Sequence, residues 1–240
     1  MANQEKSHVA GRKIVVTTFV TLDGVMQAPG GPEEDPSGGF KFGGWSFNYW
    51  DDIMGQIMSD SMAKPFELLL GRKTYEIFAA HWPFIKNDPV AEHFNSINKY
   101  VVSKSLYKLD WENSILINSD VVREIEKLKG QDGPELQVHG SGKLVQTLLE
   151  HNLVDLMRVW IFPVTIGNGS RLFAEGTNPG NLEMVECKIA GTGVIIATYK
   201  PAGDLKTGSF ALEQPTEAEI KRRKKWSRSL SDEESKAQKV

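Results

Sequence analysis

The chain has 240 residues, 40% hydrophobic and 25% charged, which is the ordinary range of a soluble globular protein. Its 28 basic and 31 acidic side chains leave a net charge of −3, which excludes a globally basic nucleic-acid binder. The single cysteine, Cys187, excludes an intrachain disulfide and a cysteine-built zinc cluster.

No apolar run approaches the roughly 20 residues that span a bilayer. The opening residues MANQEKSH lack the apolar core of a signal peptide. A cytoplasmic location without a membrane or nucleic-acid partner is therefore expected.

In chain order, residues 1–11 are polar and read as a flexible lead-in. The β-branched run from Lys13 to Val20 predicts a strand buried on both faces, ended by Thr21-Leu22-Asp23-Gly24. Residues 27–44 carry six Gly and three Pro, so a long loop is expected there, and long loops inside compact domains are usually functional. Ser46 or Asn48 is the expected cap of a helix running to about Ala63, with Trp50, Ile53, Met54, Ile57 and Met58 on its apolar face.

Further strands are predicted over 66–70, 99–103, 114–117, 135–139 and 156–164. Helices are predicted from the Gly71-Arg72-Lys73-Thr74 turn toward Phe78, over 89–97, from an Asp120 cap to Lys129, and over 143–151. Residues 182–190 and 193–200 flank Gly191-Thr192-Gly193 and read as a closing hairpin. Alternating strands and helices predict an α/β fold: a mostly parallel sheet with helices on both faces and an antiparallel C-terminal edge. This organises the chain as a body over 12–202 and a charged tail over 203–240. The tail carries the basic run Lys221–Lys225 and two capping patterns, Thr216-x-x-Glu219 and Ser231-x-x-Glu234, which allow short helices.

Ligands on such sheets bind outside the carboxyl ends of the strands. Gly140-Ser141-Gly142 sits between a strand and a helix, where small residues admit a phosphate to the helix N–H groups; locally it is equally a plain glycine turn. Gly71-Arg72-Lys73-Thr74 is a second such turn, where Thr74 can reach a phosphate oxygen and Arg72 can clamp one bidentately. Asp23, at a strand end, can orient a substrate or close an Asx-turn. His139 ends a buried strand directly before the glycine turn, so both a structural and a catalytic role are open to it. Trp45 and Tyr49 are assigned to the wall of a planar-ligand pocket and Trp50 to the core. The remaining histidines have no partner at metal spacing, and no metal site is expected.

The ordered set TLDG (21–24), LLLGRKTYE (68–76), KYVVSKSL (99–106), VHGSGKLVQTLLEHNLVD (138–155) and FPVTIGNGSRLF (162–173) resembles the dihydrofolate-reductase-like superfamily. Within it, the set is most similar to the bacterial branch related to the riboflavin-biosynthesis reductase domain. The resemblance implies a three-layer fold with an eight-stranded sheet. It also implies NADPH as cofactor, with hydride transfer to a heteroaromatic small molecule of the pyrimidine or pteridine type.

It further implies that Gly71, Arg72 and Thr74 hold cofactor phosphates, with Arg72 near the 2′-phosphate. Ser103 and Lys104 would line the adenosine. Gly140, Ser141, Gly142 and Lys143, with Leu144 alongside, would hold the pyrophosphate, and Thr21, Asp23 and Gly24 would border the nicotinamide and the substrate. The implied activity is like that of 5-amino-6-(5-phosphoribosylamino)uracil reductase; dihydrofolate reduction and a non-catalytic nucleotide-binding module are the alternatives. A homodimer is compatible with either.

Three departures stand out. Ser141 occupies a position where the family often has Gly, His139 stands where the riboflavin reductases have an acidic residue, and the zinc deaminase signature is absent.

Overall fold

The computed structural model describes residues 11–173 and 175–237. Most of the expected lead-in, residues 1–10, lies outside the described residues. The chain divides into two units, the first ending at Asp204 and the second beginning at Leu205.

The first unit is built on one eight-stranded sheet. Its strands are β1 (Ile14–Thr21), β2 (Phe66–Gly71), β3 (Lys99–Val102), β4 (Ser114–Ile117), β5 (Glu135–His139), β6 (Leu156–Phe162), β7 (Leu182–Ile189) and β8 (Ile195–Pro201). They lie in the order β4-β3-β2-β5-β1-β6-β8-β7. Pairings among β1 to β6 are parallel, whereas β8 runs antiparallel to both β6 and β7. The helices are α1 (Asp52–Met62), α2 (Arg72–Ala79), α3 (Pro89–Ser96), α4 (Val121–Lys129) and α5 (Gly142–Glu150), with α6 (Glu217–Ala237) in the second unit. The mostly parallel eight-stranded sheet with an antiparallel edge and helical layers matches the three-layer arrangement that the resemblance implies.

Strand alternation sends neighbouring residues to opposite faces of the sheet. On the first face Ile14, Val16, Val20, Leu136, Val138, Met157 and Val159 pack against Ile125 and Leu128 of α4 and Leu144, Val145 and Leu148 of α5. Each such fully buried aliphatic side chain contributes about 1.5–3 kcal/mol. The second face carries two separate aromatic clusters. Phe66, Leu68 and Leu70 meet Tyr75 of α2 and Phe94 of α3. Trp160, Phe162 and Ile196 meet Met54 and Ile57 of α1. Between those clusters the second face is polar.

Four expectations are corrected. The cap of α1 is Asp51, whose carboxylate accepts the Met54 N–H at 2.9 Å, because residues 47–49 form a separate 3-10 turn and Trp50 is extended. The two tryptophans consequently exchange roles: Trp45 is 9% exposed and Trp50 46%. Trp45 is drawn inward because Gly43 lies against the Gly31 carbonyl, where an added Cβ would come within 2.3 Å. Its indole N–H donates to the Gln27 carbonyl at 2.8 Å and its ring meets Phe162 edge-on at 5.2 Å.

Asp120 precedes α4 as expected, but at φ 42° its side chain makes no capping bond. The tail forms one helix, α6, rather than short ones. Thr216 Oγ1 accepts the Glu219 N–H at 3.2 Å and starts it. Glu219 then pairs forward with Arg222 and Arg223, and no Gly or Pro interrupts residues 217–237. Among the described residues, no helix is long and apolar enough to cross a membrane.

Candidate active site

The two glycine-containing turns end adjacent parallel strands, β2 and β5, and are locked to each other. Ser141 Oγ accepts the Gly71 N–H at 3.0 Å and donates to Thr74 Oγ1 at 2.7 Å. A Cβ on Gly71 would stand 3.3 Å from the Ser141 side chain, so this approach calls for glycine. Gly140 and Ser141 both take the left-handed conformation, at φ 62° and 60°. That kink turns the chain from β5 into α5 and sends the Gly140 N–H to the Thr17 carbonyl at 3.2 Å.

The helices starting here have free ends. Neither α2 nor α5 has a side-chain N-cap, and neither does α4, which follows β4. By contrast α1 and α3, which do not directly follow a parallel strand, are capped by Asp51 and Asp88. The carboxyl edge of the sheet therefore presents helix N–H groups with no side-chain acceptor, and helix N-termini bind anions. Two of these ends, fixed relative to one another, fit the paired phosphates of a dinucleotide.

Arg72 opens α2 and is 44% exposed at its side chain, paired with Glu76 at 2.9 Å. An exposed pair of this kind is worth little, so a phosphate can take the guanidinium over. Lys73 instead reaches Asp35 at 2.9 Å and Ser37 Oγ at 2.7 Å, strapping the long loop to α2. An open cleft of about 520 Å³ lies there, lined by Glu33, Glu34, Asp35, Arg72, Lys73 and His81 among others. Its acidic wall suits it poorly to a pyrophosphate, and Lys73 is held by Asp35, which leaves Arg72 as the cation at its edge that an anion could reach.

Ser103 is 6% exposed, and its hydroxyl accepts the N–H groups of Ser105 and Leu106, so it shapes the turn after β3. Lys104 and Lys143 are exposed at the same edge of the sheet. Leu144 is core, 6% exposed, which leaves its backbone rather than its side chain to a ligand. Tyr49 is partly buried against Phe162, at 5.8 Å. Trp45, assigned above to a pocket wall, is sealed into the core and presents no ring to a ligand.

Asp23 has a positioning role. Its carboxylate accepts the Thr21 hydroxyl at 2.5 Å and the N–H groups of Gly167 at 2.7 Å and Ile166 at 3.2 Å. Arg171 donates to the Asp23 carbonyl, and Gly24 takes φ 84° to make the turn. The Thr21 hydroxyl first, then the Gly167 and Ile166 amides, outweigh burial and hold the carboxyl down at about 2. The group is ionised and its oxygens are engaged across most of the neutral and acid range. It ties the end of β1 to the 164–171 segment instead of offering a proton.

His139 is partly buried, with its ring 6.4 Å from Phe78 and 5.9 Å from Phe94. Nε2 lies 3.0 Å from Gln137 Oε1, which makes Nε2 the donor. Burial, and then the nearby Arg158 guanidinium, push the imidazole down to about 4. At neutral pH it is uncharged, so it can hydrogen-bond a ligand but carries no extra proton to give.

Arg158 was not singled out by the sequence reading. The available signal was an arginine inside the otherwise apolar strand LMRVWIF.

A family model described as the RibD C-terminal domain matches residues 12–196. The chain is 30% identical over 198 residues to the uncharacterized protein YyaP of Bacillus subtilis, covering 78% of this chain and 94% of that one. Among solved structures it is similar to a putative riboflavin biosynthesis protein from Shewanella sp. PV-4, with TM-score 0.55 and 19% identity over 79% of this chain and 99% of the other. It is also similar to a pyrimidine reductase-like protein from Corynebacterium diphtheriae, with TM-score 0.52 and 12% identity over 80% and 93%. The two structures share the fold of this chain. With the family model covering most of the sheet and both glycine turns, the chain belongs to the RibD C-terminal domain family.

Proposed function

We propose that this protein is an NADPH-dependent reductase that transfers a hydride to a flat heteroaromatic acceptor of the pyrimidine or pteridine type. The observation that carries the reading is the pair of uncapped helix N-termini at Gly71–Thr74 and Gly140–Leu144, held together through Ser141 Oγ. NADPH, when bound, supplies the hydride; the protein supplies position and electrostatics.

The N–H groups of the two turns bind the phosphates, with Gly71, Thr74, Gly140, Gly142 and Lys143 around them. Arg72 leaves Glu76 to clamp the 2′-phosphate, and Ser103 and Lys104 border the adenosine. Thr21, Asp23 and Gly24 fix the edge along which the nicotinamide lies. His139, neutral, orients the acceptor by hydrogen bonding.

A second reading, a nucleotide-binding module without turnover, is favoured by one observation. Asp23 is engaged and ionised and His139 is uncharged, so neither is a proton reservoir at neutral pH. The two readings separate when the full chain is mixed with NADPH and a panel of pterins, folates and aminopyrimidines while cofactor absorbance is followed. Acceptor-dependent oxidation supports the reductase; binding without oxidation across the panel leaves the module.

A homodimer is part of the proposal. The bulge between Met184 and Glu186 shifts the phase of β7, so Leu182, Met184, Cys187 and Ile189 share one face and Glu183, Glu186 and Lys188 the other. The apolar face is exposed, with Met184 at 58% and Ile189 at 65%, and carries no charge, which suits a second copy of itself. Sedimentation should show the dimer, and a short bismaleimide should join two copies through the exposed Cys187; a monomer in both measurements would overturn it.

A further inference from the structure

One transverse row of the second sheet face is polar across five strands. His139 of β5 pairs with Thr17 of β1, Thr17 with Arg158 of β6, Arg158 with Thr198 of β8, and Thr198 with Glu186 of β7. On the opposite face the adjacent row is apolar in its three central strands, with Val138, Val16 and Met157. The row starts at the glycine turn, where the Gly140 N–H meets the Thr17 carbonyl.

Its hydrogen bonding is unbalanced. Among the described residues, the partly buried Arg158 side chain makes no hydrogen bond or ion pair, and the Glu186 carboxylate is turned to Lys188 at 3.1 Å. Thr17 is 5% exposed and its hydroxyl has no partner. Trp160, two residues along β6 on the same face, is fully buried and its indole N–H also has none. Each of Arg158, Thr17 and Trp160 can donate, and none of the three side chains has an acceptor among the described residues. One full positive charge and a surplus of donors call for an anion.

Aromatic rings flank the row. Phe78 lies 6.4 Å from His139, and Trp50, nearly half exposed, stacks on Trp160 at 6.0 Å and lies 6.3 Å from Phe19. A flat ring entering between them from the glycine turn brings its substituents onto Arg158.

We propose that Arg158 is an anion subsite, with Thr17 and His139 beside it, and that the acceptor therefore carries a carboxylate or a phosphate. This rests on the reductase reading and narrows it to acidic heteroaromatics. Arg158 offers a planar fork that takes two oxygens of either group. His139, kept neutral with its Nε2–H given to Gln137, accepts at Nδ1 from a donor on the ring itself.

The test uses matched pairs of flat ligands on the full chain saturated with NADP⁺. Pterin-6-carboxylate against pterin reads a carboxylate, and riboflavin 5′-phosphate against riboflavin reads a phosphate. In calorimetry at least one anionic member should bind tenfold or more tightly than its neutral partner, and Arg158→Met should erase that margin. Arg158→Lys, which keeps the charge and loses the fork, should retain a few-fold margin and covers the case in which the Met variant does not fold.

Equal affinities within both pairs would overturn the inference, as would a margin that survives Arg158→Met. Failure of NADP⁺ itself to bind would overturn the cofactor reading instead. The anion margin must then still appear in the cofactor-free chain.

Discussion

On the face covered by α4 and α5, the central strands present Val16, Val138 and Met157, each fully buried. One residue further along, on the opposite face, the same strands present Thr17, His139 and Arg158. The first face is aliphatic and continuous, so its residues are interchangeable bearers of buried area. The second face is aromatic at both ends and polar in the middle, and its polar groups are only partly satisfied. Burying polar groups without partners costs about 1–3 kcal/mol each, so the second face spends stability where the first accumulates it. Two faces of one sheet thus differ: one holds the fold, and the other carries the proposed anion subsite.

Leu136→Ala should give the largest effect and mark the first face as structural. Leu136 is fully buried in the aliphatic cluster, and such a truncation costs about 2–5 kcal/mol. Thermal unfolding should drop by roughly 2–4 °C for each kcal/mol, with cofactor affinity of the folded protein unchanged. An equal loss of affinity would mean that the two faces are not separable.

The pH response isolates the second face. The folded imidazole of His139 titrates near 4 against an ordinary 6.5, so between those values the unfolded chain takes up a proton that the folded one refuses. This contribution is fully present above pH 6.5 and is lost as pH falls toward 4, at up to about 1.4 kcal/mol per pH unit. Chemical denaturation across this window in the wild type and in His139→Gln should show the slope only in the former. Equal slopes would remove His139 from the polar row.

Thr17→Val should give the smallest change and one of opposite sign. Valine keeps the shape and removes the unpartnered hydroxyl, so unfolding free energy should stay level or rise by about 1 kcal/mol. A loss comparable with Leu136→Ala would show that the hydroxyl is satisfied after all.

Much of the frame was legible in the sequence, because β-branched runs such as KIVVTTFV and the glycine turns that follow them are local signals. The hairpin edge was legible for the same reason at Gly191-Thr192-Gly193. The exchange between Trp45 and Trp50 was not, since it depends on Gly43 lying against the Gly31 carbonyl. The role of Asp23 was hidden because its amide partners, Ile166 and Gly167, are 143 and 144 residues away. The lock between the two turns joins Gly71 to Ser141 across 70 residues, and no local pattern announces it. His139 was visible as a candidate, but its loss of charge comes first from burial and then from Arg158, two strands away.

In the proposed function the locked turns bind a dinucleotide and Arg72 selects its 2′-phosphate. Calorimetric titration of the full chain with NADPH and NADH tests it most directly. A bidentate arginine–phosphate contact is worth on the order of 1.5–3 kcal/mol, so NADPH should bind about tenfold or more tightly, and Arg72→Ala should weaken NADPH far more than NADH. Equal affinities in the wild type, or no binding of either cofactor, would contradict the account.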